Sequence, residues 1–456
     1  MKILMTGATG LVGKELGKAL VREGHELVVL TRDPLKARAL LSFPATLVEW
    51  KDHTQLIPPR HLEGVDTVIH LAGENIADGR WSKKRKGLIL DSRVQGTRNI
   101  VRAIKAEGKS VKRFISTSAI GIYGETSDWV NEDAPVGRGF LADVCLGWEN
   151  EAKALSEAGV SVAIARIGIV LSRQGGALEK MLLPFSLGLG GVIGSGKQWM
   201  SWIHREDLTR LFVHLVNHPE LTGPFNAVAP APATNKDFSR ALAKALGRSL
   251  FFPVPAIALK LGLGEMATLI TGGQRVACKN IREAGFRFKY SELSEALTEL
   301  CAPLLNGQKE LLAEIWLPKS REEVFPFFSD EKNLETLTPE HLSFKVLQKS
   351  TPQISEGTLI DYRLKVHGVP LRWRTLIENW EPGKKFVDRQ LKGPYALWHH
   401  THEFSDFAGG TLMRDRVLYR LPLGRLGDAV AGWFVKKDVT GIFSYRQQTI
   451  RRIFNS

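Results

Sequence analysis

The feature that most constrains this chain is a glycine-punctuated turn near its beginning. An apolar strand pattern, Lys2 to Thr6, runs directly into Thr6-Gly7-Ala8-Thr9-Gly10-Leu11-Val12-Gly13, and a helical pattern follows. Gly7 permits a sharp turn, Gly10 lets the backbone approach a phosphate, and Gly13 lets the helix pack closely on the strand. The helix amino terminus then offers N–H groups and a positive dipole end to an anion. The sequence therefore predicts a dinucleotide site at this turn.

The order of elements predicts an α/β Rossmann domain followed by an α+β domain. In the first part of the chain, short β-rich runs alternate with longer helical stretches, which is typical of a doubly wound parallel sheet. Residues 175–300 are rich in Gly and Pro and are predicted to form a small substrate lobe. After a linker at 301–308, seven strand-like runs and a final helical stretch, Arg425 to Phe454, predict an antiparallel sheet wrapped on a long helix. The predicted domains are 1–300 and 309–456.

Composition argues against several classes of protein. The formal net charge is +14, but no nucleic-acid motif accompanies the basic run Lys83-Lys84-Arg85-Lys86, so we assign the excess to anionic small molecules rather than nucleic acid. Cys145, Cys278 and Cys301 are too widely spaced for a disulfide framework or structural zinc. The first strand leaves no room for a signal peptide, and no apolar run has the length of a bilayer. We therefore predict a cytoplasmic protein with no membrane span.

The end of the second predicted strand indicates which dinucleotide is bound. NAD is usually held there by an acidic residue on its ribose, whereas this strand ends in Thr31-Arg32. A guanidinium suits a 2′-phosphate through charge-assisted hydrogen bonds, so NADP(H) is favoured over NAD(H). In the alternative, Arg32 lies in solvent and Asp33 reaches the ribose.

Further motifs follow the glycine turn within the first 300 residues. They are His70-Leu71-Ala72-Gly73, Ser116-Thr117-Ser118, Ile122-Tyr123-Gly124, Arg166-Ile167-Gly168 and Ile203-His204-x-x-Asp207. Together they resemble the epimerase/dehydratase branch of the extended short-chain dehydrogenases/reductases. Ala72-Gly73-Glu74-Asn75-Ile76, Cys145-x-x-Trp148-Glu149 and Gly196-x-Gln198-Trp199-x-Ser201-Trp202 resemble an atypical subgroup whose substrates are mostly unassigned. The resemblance implies an NADP(H)-binding oxidoreductase or epimerase-like enzyme acting on a small molecule.

The resemblance and the glycine turn together assign the binding residues. The predicted cofactor-binding residues are Thr6, Gly7, Thr9, Gly10, Leu11, Val12, Gly13, Thr31, Arg32, Leu71, Ala72, Gly73 and Arg166. The predicted substrate-contacting residues are Asn75, Trp199, Trp202 and His204. The Trp-rich turn could form an aromatic wall of a substrate pocket, although aromatic residues at such spacing also occur in cores.

The chain departs from the family in its catalytic residues. The usual Tyr-x-x-x-Lys pair is replaced by Leu141 and Cys145, and the usual supporting Asn by Arg93. The predicted catalytic residues are Ser118, Tyr123, Arg93 and Glu74, with His204 and Cys145 as further candidates for proton transfer. Each has a structural alternative, since Tyr123 could pack under the cofactor, Arg93 could pair with Glu74, and Cys145 could be a small buried apolar residue.

Three functional interpretations stay open at this point. Another acid replaces the missing tyrosine, or the substrate needs little acid assistance, or the protein binds NADP(H) without turnover. In the last case it is a nucleotide-sensing regulator that acts through protein partners, and the resemblance offers a link to cell division. The oligomeric state is left open.

The strand-rich C-terminal part carries a second resemblance. Trp316-x-Pro318, Val324-Phe325-x-Phe327-Phe328 and Trp398-His399-His400-Thr401-His402-x-Phe404 resemble the START-like, polyketide-cyclase-like helix-grip fold. That fold implies a cavity for an apolar ligand. Trp398, His400 and His402 share one face of a strand and could line a pocket or bind a metal. Because no third ligand is evident at a suitable spacing, we predict no metal.

Overall fold

A computed structural model describes residues 1–250 and 253–454 of the chain. The chain divides into two compact units, one made of residues 1–40 and 45–302 and the other of residues 41–44 and 303–456. None of the helices in the described ranges has the combination of length and hydropathy that crossing a membrane requires.

The first unit contains thirteen named strands and eleven α-helices within its described residues. The strands are β1 (Lys2–Thr6), β2 (Glu26–Thr31), β3 (Thr46–Glu49), β4 (Thr67–His70), β5 (Arg113–Ala119), β6 (Thr126–Val130), β7 (Ser161–Ile167), β8 (Ile169–Leu171), β9 (Trp199–Met200), β10 (Trp202–His204), β11 (Gly223–Ala227), β12 (Ala233–Thr234) and β13 (Gln274–Val276). The helices are α1 (Leu11–Arg22), α2 (Pro34–Leu40), α3 (Lys83–Glu107), α4 (Phe140–Lys153), α5 (Gly176–Ser186), α6 (Arg205–Asn217), α7 (Asn235–Ala245), α8 (Ala256–Leu263), α9 (Thr268–Thr271), α10 (Lys279–Glu283) and α11 (Leu293–Cys301).

Seven of these strands form one parallel sheet in the order β11-β7-β5-β4-β1-β2-β3. Their apolar side chains are buried on both sides, as in Ile3, Leu4 and Met5, each with no exposed surface. The direction of winding changes between β1 and β4, and ligands of such sheets bind at the carboxyl ends of the strands beside this point. The predicted Rossmann fold with a doubly wound parallel sheet is confirmed.

The second unit is a seven-stranded antiparallel sheet with a long terminal helix. Its elements are β14 (Lys309–Leu317), α12 (Arg321–Phe328), α13 (Asn333–Thr336), β15 (Lys345–Lys349), β16 (Leu359–Val366), β17 (Val369–Glu381), β18 (Lys385–Lys392), β19 (Leu397–Phe407), β20 (Gly410–Arg420) and α14 (Arg425–Phe454). The strand order is β14-β20-β19-β18-β17-β16-β15, and α14 buries Val439, Phe443 and Ile450. The predicted antiparallel sheet and its long helix are confirmed.

Sequence reasoning missed α12, although its start carries a capping signal. The Ser320 side chain accepts from the backbone N–H of Glu323, whose carboxylate accepts in return from the Ser320 N–H. This reciprocal capping box satisfies two N–H groups that a helix start otherwise leaves without partners. The run Val324-Phe325-x-Phe327-Phe328 is rich in aromatic residues, which suit a strand as well as a short helix, so the hydrophobic pattern alone does not predict α12.

Candidate cofactor and substrate site

The glycine turn joins β1 to α1 with almost no room for side chains. Gly7 has a φ of +70°, and a Cβ atom there would lie 2.8 Å from the carbonyl carbon of Leu71. A Cβ atom on Gly13 would lie 2.3 Å from the carbonyl oxygen of Gly7. Gly10 occupies the N-cap of α1 without any side-chain cap. The first N–H groups of α1 are thus available to an anion, as a pyrophosphate site requires.

A buried histidine fixes the neighbouring ends of β1 and β4. The His70 Nδ1 and Nε2 atoms lie 2.8 Å and 3.1 Å from the hydroxyl oxygens of Thr6 and Thr97. The Ala72 N–H donates to the Thr6 hydroxyl at 3.1 Å. Burial, together with the nearby Arg93 guanidinium, lowers the pKa of His70 to about 3. Thr6 therefore shapes the turn through His70 and Ala72.

We expect this histidine to make the protein acid-sensitive. The pKa of His70 is lower in the folded state, so its contribution to stability is complete above the unfolded-state pKa of about 6.5 and is lost as the pH falls towards 3. Between pH 7 and pH 5 the loss should be about 2 kcal/mol. Urea unfolding of wild type and His70→Asn at both pH values measures it. An equal pH-dependent loss in the two proteins would exclude His70 as its source.

Two charged residues, Arg32 and Asp33, follow β2, and they differ in whether the side chain is free to contact a ribose. Arg32 is exposed, whereas the Asp33 Oδ1 atom accepts from the backbone N–H of Lys36 at 2.9 Å. Asp33 thus caps α2, which favours Asp at this position for a structural reason. This arrangement favours Arg32 over Asp33 as the residue that meets the adenosine ribose.

A pocket of about 370 Å³ opens at the carboxyl ends of β4, β5 and β7, beside the first turn of α1. Its lining is largely apolar. The lining residues are Val12, Leu71, Ile76, Ile89, Arg93, Thr117, Ser118, Ala119, Ile120, Gly121, Leu141, Val144, Cys145, Trp148, Ile167, Gly168, Ile169, Thr268, Leu269, Gly272 and Gln274. Leu141 and Cys145, which stand where the family has its Tyr and Lys, face the same space as Ser118. The pocket therefore brings Ser118 together with the two positions at which the resemblance implies the family's Tyr and Lys.

Arg93 is the one charged side chain among the described residues that line this pocket. Its Nη1 atom donates to the carbonyl oxygens of Glu74 and Ile89 at 3.0 Å and 3.1 Å. The guanidinium carbon lies 5.1 Å from the centre of the Trp148 ring, and the group rests against Gly73. Burial lowers the pKa of Arg93, yet a guanidinium remains charged in proteins. A fixed positive charge thus faces an apolar pocket.

A buried ion pair lies behind the pocket wall. Arg166 donates from Nε and Nη2 to the two carboxylate oxygens of Glu149 at 2.8 Å and 2.9 Å. The Ser118 hydroxyl donates to the same carboxylate at 2.9 Å. The Tyr123 hydroxyl donates to Asn226 at 2.7 Å and accepts from Arg166 at 2.8 Å. Ser118 is thereby held at the pocket by a rigid charged pair.

This network contains two of the predicted site residues. Arg166 was predicted to bind the cofactor, but its guanidinium is buried and committed to Glu149 and Tyr123. Tyr123 was predicted to be catalytic, but its hydroxyl is buried with two partners, and burial raises its pKa. Neither residue lies among those that line the pocket. Both support the wall through Glu149 and so position Ser118.

Two further catalytic candidates, Glu74 and Cys145, have different surroundings. Glu74 forms an ion pair with Arg85 at 2.9 Å, and Arg93 donates to the backbone carbonyl of Glu74 rather than to its carboxylate. Cys145 lines the pocket, but burial raises the pKa of its thiol to about 11. The thiolate that would act as a base is therefore scarce at neutral pH. Cys145 is therefore poorly suited to act as a base here.

The predicted substrate residues are not brought together at the pocket. Trp202 has no exposed surface and donates to the Ala231 carbonyl at 2.9 Å, so it belongs to the core. Trp199 stacks on Arg275, and Asn75 donates to Asp78 within its own loop. None of these three residues is among those that line the pocket, and their contact with a substrate stays a prediction.

His204 is likewise placed outside the pocket lining. Its Nδ1 atom accepts from the backbone N–H of Glu206 and so caps α6, and its Nε2 atom lies 3.2 Å from the carboxylate of Glu299. A capping role explains why a polar side chain stands at this buried position. In this structure His204 thus caps α6, and its contact with a substrate stays a prediction.

Family models match most of this unit. The model of the NAD dependent epimerase/dehydratase family matches residues 3–228, and that of a domain of unknown function (DUF1731) matches residues 254–300. Epimerase family protein YfhF of Bacillus subtilis (strain 168) is 38% identical over 304 residues, which are 66% of this chain and 98% of that protein. This chain belongs to the epimerase family.

Other members of the epimerase family share the same part of the chain. The chloroplastic homologue of epimerase family protein SDR39U1 from Arabidopsis thaliana is 37% identical over 308 residues, which are 65% of this chain and 86% of that protein. The crystal structure of the human epimerase family protein SDR39U1 (isoform 2) with NADPH is similar at 31% identity and a TM-score of 0.60, covering 66% of this chain and 99% of that one. The predicted epimerase/dehydratase membership is confirmed.

Several pocket residues of this epimerase-family unit escaped sequence reasoning. Thr268, Leu269, Gly272 and Gln274 reach the pocket from the segment that matches the domain of unknown function. No local motif marks these residues, since they meet the pocket only through tertiary packing. For Glu149 the sequence does carry a signal of a role at the site, because the residue belongs to the motif Cys145-x-x-Trp148-Glu149. A carboxylate in such a buried motif also needs a partner.

The second unit holds a separate buried cluster of charged side chains. His400 and His402 of β19, Asp388 of β18, Asp415 of β20 and Arg446 of α14 meet on the inner face of the sheet. Burial lowers the pKa of His400 to about 4. Burial alone would raise the pKa of Asp415, but Arg446 and His402 hold it well below its usual value.

A small cavity lies beside this cluster. It is lined by Asp388, His402, Arg446 and a set of apolar residues that includes Phe327 and Leu334. The volume is about 20 Å³, which is enough for roughly one water molecule. This space is therefore too small for a ligand of several carbon atoms unless the side chains around it move.

Proposed function

We propose that this protein is an NADP(H)-dependent oxidoreductase or epimerase-like enzyme that acts on a small, largely apolar molecule with a carbonyl or hydroxyl group. The observation that carries the proposal is the pocket of about 370 Å³ beside the glycine turn, apolar except for Arg93 and a few hydroxyl and amide groups. A dinucleotide whose pyrophosphate meets α1 and whose adenosine end lies near Arg32 brings its nicotinamide end towards this pocket. The human relative solved with NADPH supports the choice of cofactor.

Arg93 is the group that we assign to the reacting oxygen. NADPH supplies a hydride when it is bound, and the substrate oxygen then gains negative charge. A guanidinium fixed by two backbone carbonyls and the Trp148 ring stabilises that charge without reorganising. The Ser118 hydroxyl, held on Glu149, orients the substrate at the same wall. The oxygen then takes its proton from solvent water, so Arg93 supplies the charge stabilisation and water the proton that the missing Tyr-x-x-x-Lys pair would otherwise provide.

The cofactor half of the proposal is tested on Arg32. Arg32→Ala should weaken NADPH binding about 10-fold to 100-fold and leave NADH binding within about threefold, because only NADPH carries the 2′-phosphate. Titration followed by nicotinamide fluorescence measures both. Arg102→Ala, which removes an exposed cation from α3, is the charge-matched control and should bind like wild type. Equal weakening of both nucleotides by Arg32→Ala would contradict the assignment.

The catalytic half is tested on Arg93. With NADPH and a panel of small aldehydes and ketones carrying apolar substituents, wild type should turn over at least one compound. Arg93→Leu should lower kcat/KM about 100-fold with unchanged NADPH affinity, because a fixed positive charge at the developing oxyanion is lost. The reaction is followed by the decrease in NADPH absorbance. Turnover that survives the substitution would remove Arg93 from the mechanism.

A regulator without turnover is the second candidate function. The observation that favours it is the state of the groups that could transfer a proton. The Tyr123 hydroxyl donates to Asn226, the Glu74 carboxylate pairs with Arg85, and the Cys145 thiol has a raised pKa. Such a protein would bind NADPH as tightly as an enzyme does and show no nicotinamide oxidation with any member of the panel. Binding that depends on Arg32 without turnover would favour the regulator, with protein partners that respond to NADP(H).

For residues 309–456 we propose the START-like helix-grip fold. The position of β14 beside β20, the two short helices between β14 and β15, and the long α14 against the sheet support it. A hydrophobic ligand would have to open the cavity by moving side chains such as Phe327 and Leu334. Because this cavity is so small, the cluster of charged side chains beside it is the better defined candidate site of this unit.

A further inference from the structure

We propose that Asp388, His400 and His402 of the C-terminal unit bind a divalent transition metal ion of the Zn²⁺ type. Their ligand atoms all lie within 4.8 Å of one another. Two imidazoles and one carboxylate are a ligand set that Zn²⁺ favours. The third ligand, missing from the sequence pattern, is Asp388, which stands opposite His400 on the neighbouring strand.

The spacing of two of these ligands already suits a metal. The Nε2 atom of His402 lies 3.3 Å from the Oδ2 atom of Asp388. In a tetrahedral site with bonds of about 2.0–2.1 Å, two ligand atoms are about 3.3 Å apart. The His400 ligand atom lies within 4.8 Å of the other two, so it has to move by no more than about 1.5 Å to reach the same distance. The sheet register therefore comes close to presenting a preformed site.

Asp415 supplies the support that metal-binding histidines need. Its Oδ1 atom lies 2.6 Å from His402 Nδ1 and 3.2 Å from His400 Nε2. A hydrogen bond from one ring nitrogen to a carboxylate orients a histidine and leaves the other nitrogen to the metal. The Asp415 Oδ2 atom pairs with Arg446 at 3.2 Å, which balances its charge and keeps Asp415 in this positioning role.

The cavity provides an open side to the site. Asp388 and His402 both line the space of about 20 Å³, which holds roughly one water molecule. Three protein ligands with one water-sized position are the arrangement of zinc sites that exchange a ligand, whereas structural sites are closed by four protein ligands. The site is thus suited to a metal with one water or one small ligand atom.

The test is Co²⁺ binding to the full-length, chelator-treated protein, followed by visible absorption and by calorimetry with Zn²⁺. We expect one equivalent to bind with the strong absorption of four-coordinate Co²⁺. Asp388→Asn and His402→Gln should each weaken binding at least about 100-fold, and Asp415→Asn, as a positioning residue, about 10-fold to 100-fold. The matched control is His399→Ala, because His399 alternates to the other face of β19.

The variants are first checked for folding by circular dichroism, since the cluster is buried. Asp388→Asn is the safer of the two ligand variants, because the Asp388 side chain retains 17% exposure, whereas that of His402 retains 2%. Absence of Co²⁺ absorption in wild type would overturn the proposal and leave the cluster as an ion network that stabilises the unit. Binding that Asp388→Asn and His402→Gln leave unchanged, or that His399→Ala abolishes, would overturn it equally.

Discussion

Arg166→Met should lower the free energy of unfolding by about 3–5 kcal/mol. The substitution leaves the Glu149 carboxylate, which has no exposed side-chain surface, without the guanidinium that pairs with both of its oxygens. A buried charge that loses its partner costs far more than the net worth of the pair. Urea unfolding followed by circular dichroism measures the change.

The same carboxylate provides the control. Lys153 also pairs with Glu149, at 3.6 Å, but the Lys153 side chain is 50% exposed, against 7% for Arg166. Lys153→Met should therefore cost no more than about 1 kcal/mol. Similar losses in the two variants would mean that charge balance around Glu149, rather than burial of the Arg166 pair, decides stability. The double variant Glu149→Leu/Arg166→Met should recover much of the loss, because no buried charge is left unpaired and the exposed Lys153 is solvated by water.

Gly13→Ala should abolish measurable NADPH binding, with at least a 100-fold loss of affinity, and should also destabilise the first unit by about 1–3 kcal/mol. The added Cβ would lie 2.3 Å from the Gly7 carbonyl oxygen and 2.6 Å from Ala8 Cα, and both are backbone atoms. The turn and the start of α1 must therefore separate, which moves the N–H groups meant for the pyrophosphate. Fluorescence titration with NADPH and thermal unfolding measure the two effects.

Gly87→Ala is the matched control for this prediction. Gly87 lies inside α3, and a Cβ atom there would meet nothing within 4 Å. The substitution should leave NADPH binding unchanged and stabilise the protein by up to about 1 kcal/mol, because Ala favours a helix over Gly. NADPH binding by Gly13→Ala with wild-type affinity would place the dinucleotide elsewhere than at this turn.

Local patterns account for what could be predicted. The bounds of β1 and β2 follow from runs of apolar residues, and α14 was predicted over its full length, Arg425–Phe454, from helical spacing. These elements depend on neighbours within a few residues in sequence, so a sequence carries their signal. The helix α12 was missed because aromatic residues suit a short helix and a strand equally well, and α13 was missed because a single turn of four residues is too short to show helical spacing.

The site shows the limit of such patterns. Tyr123 and Arg166 carry family motifs, yet their side chains face a buried network and leave Arg93 and Ser118 to line the pocket. A motif fixes where a residue stands in the chain but not what its side chain meets. Trp202 illustrates this, since an aromatic residue in a motif was expected at a substrate and is packed in the core.

The sequence by itself determined the glycine turn, the alternation that builds the parallel sheet, and the change to an antiparallel sheet with a long helix. Only the tertiary structure decided which polar groups meet, because those contacts join residues far apart in the chain. Glu149 of α4 meets Arg166 of β7 because the helix packs against the sheet. Asp388 meets His400 and His402 through the register of β18 on β19. Register and packing are set by the whole core, and therefore no short stretch of sequence records them.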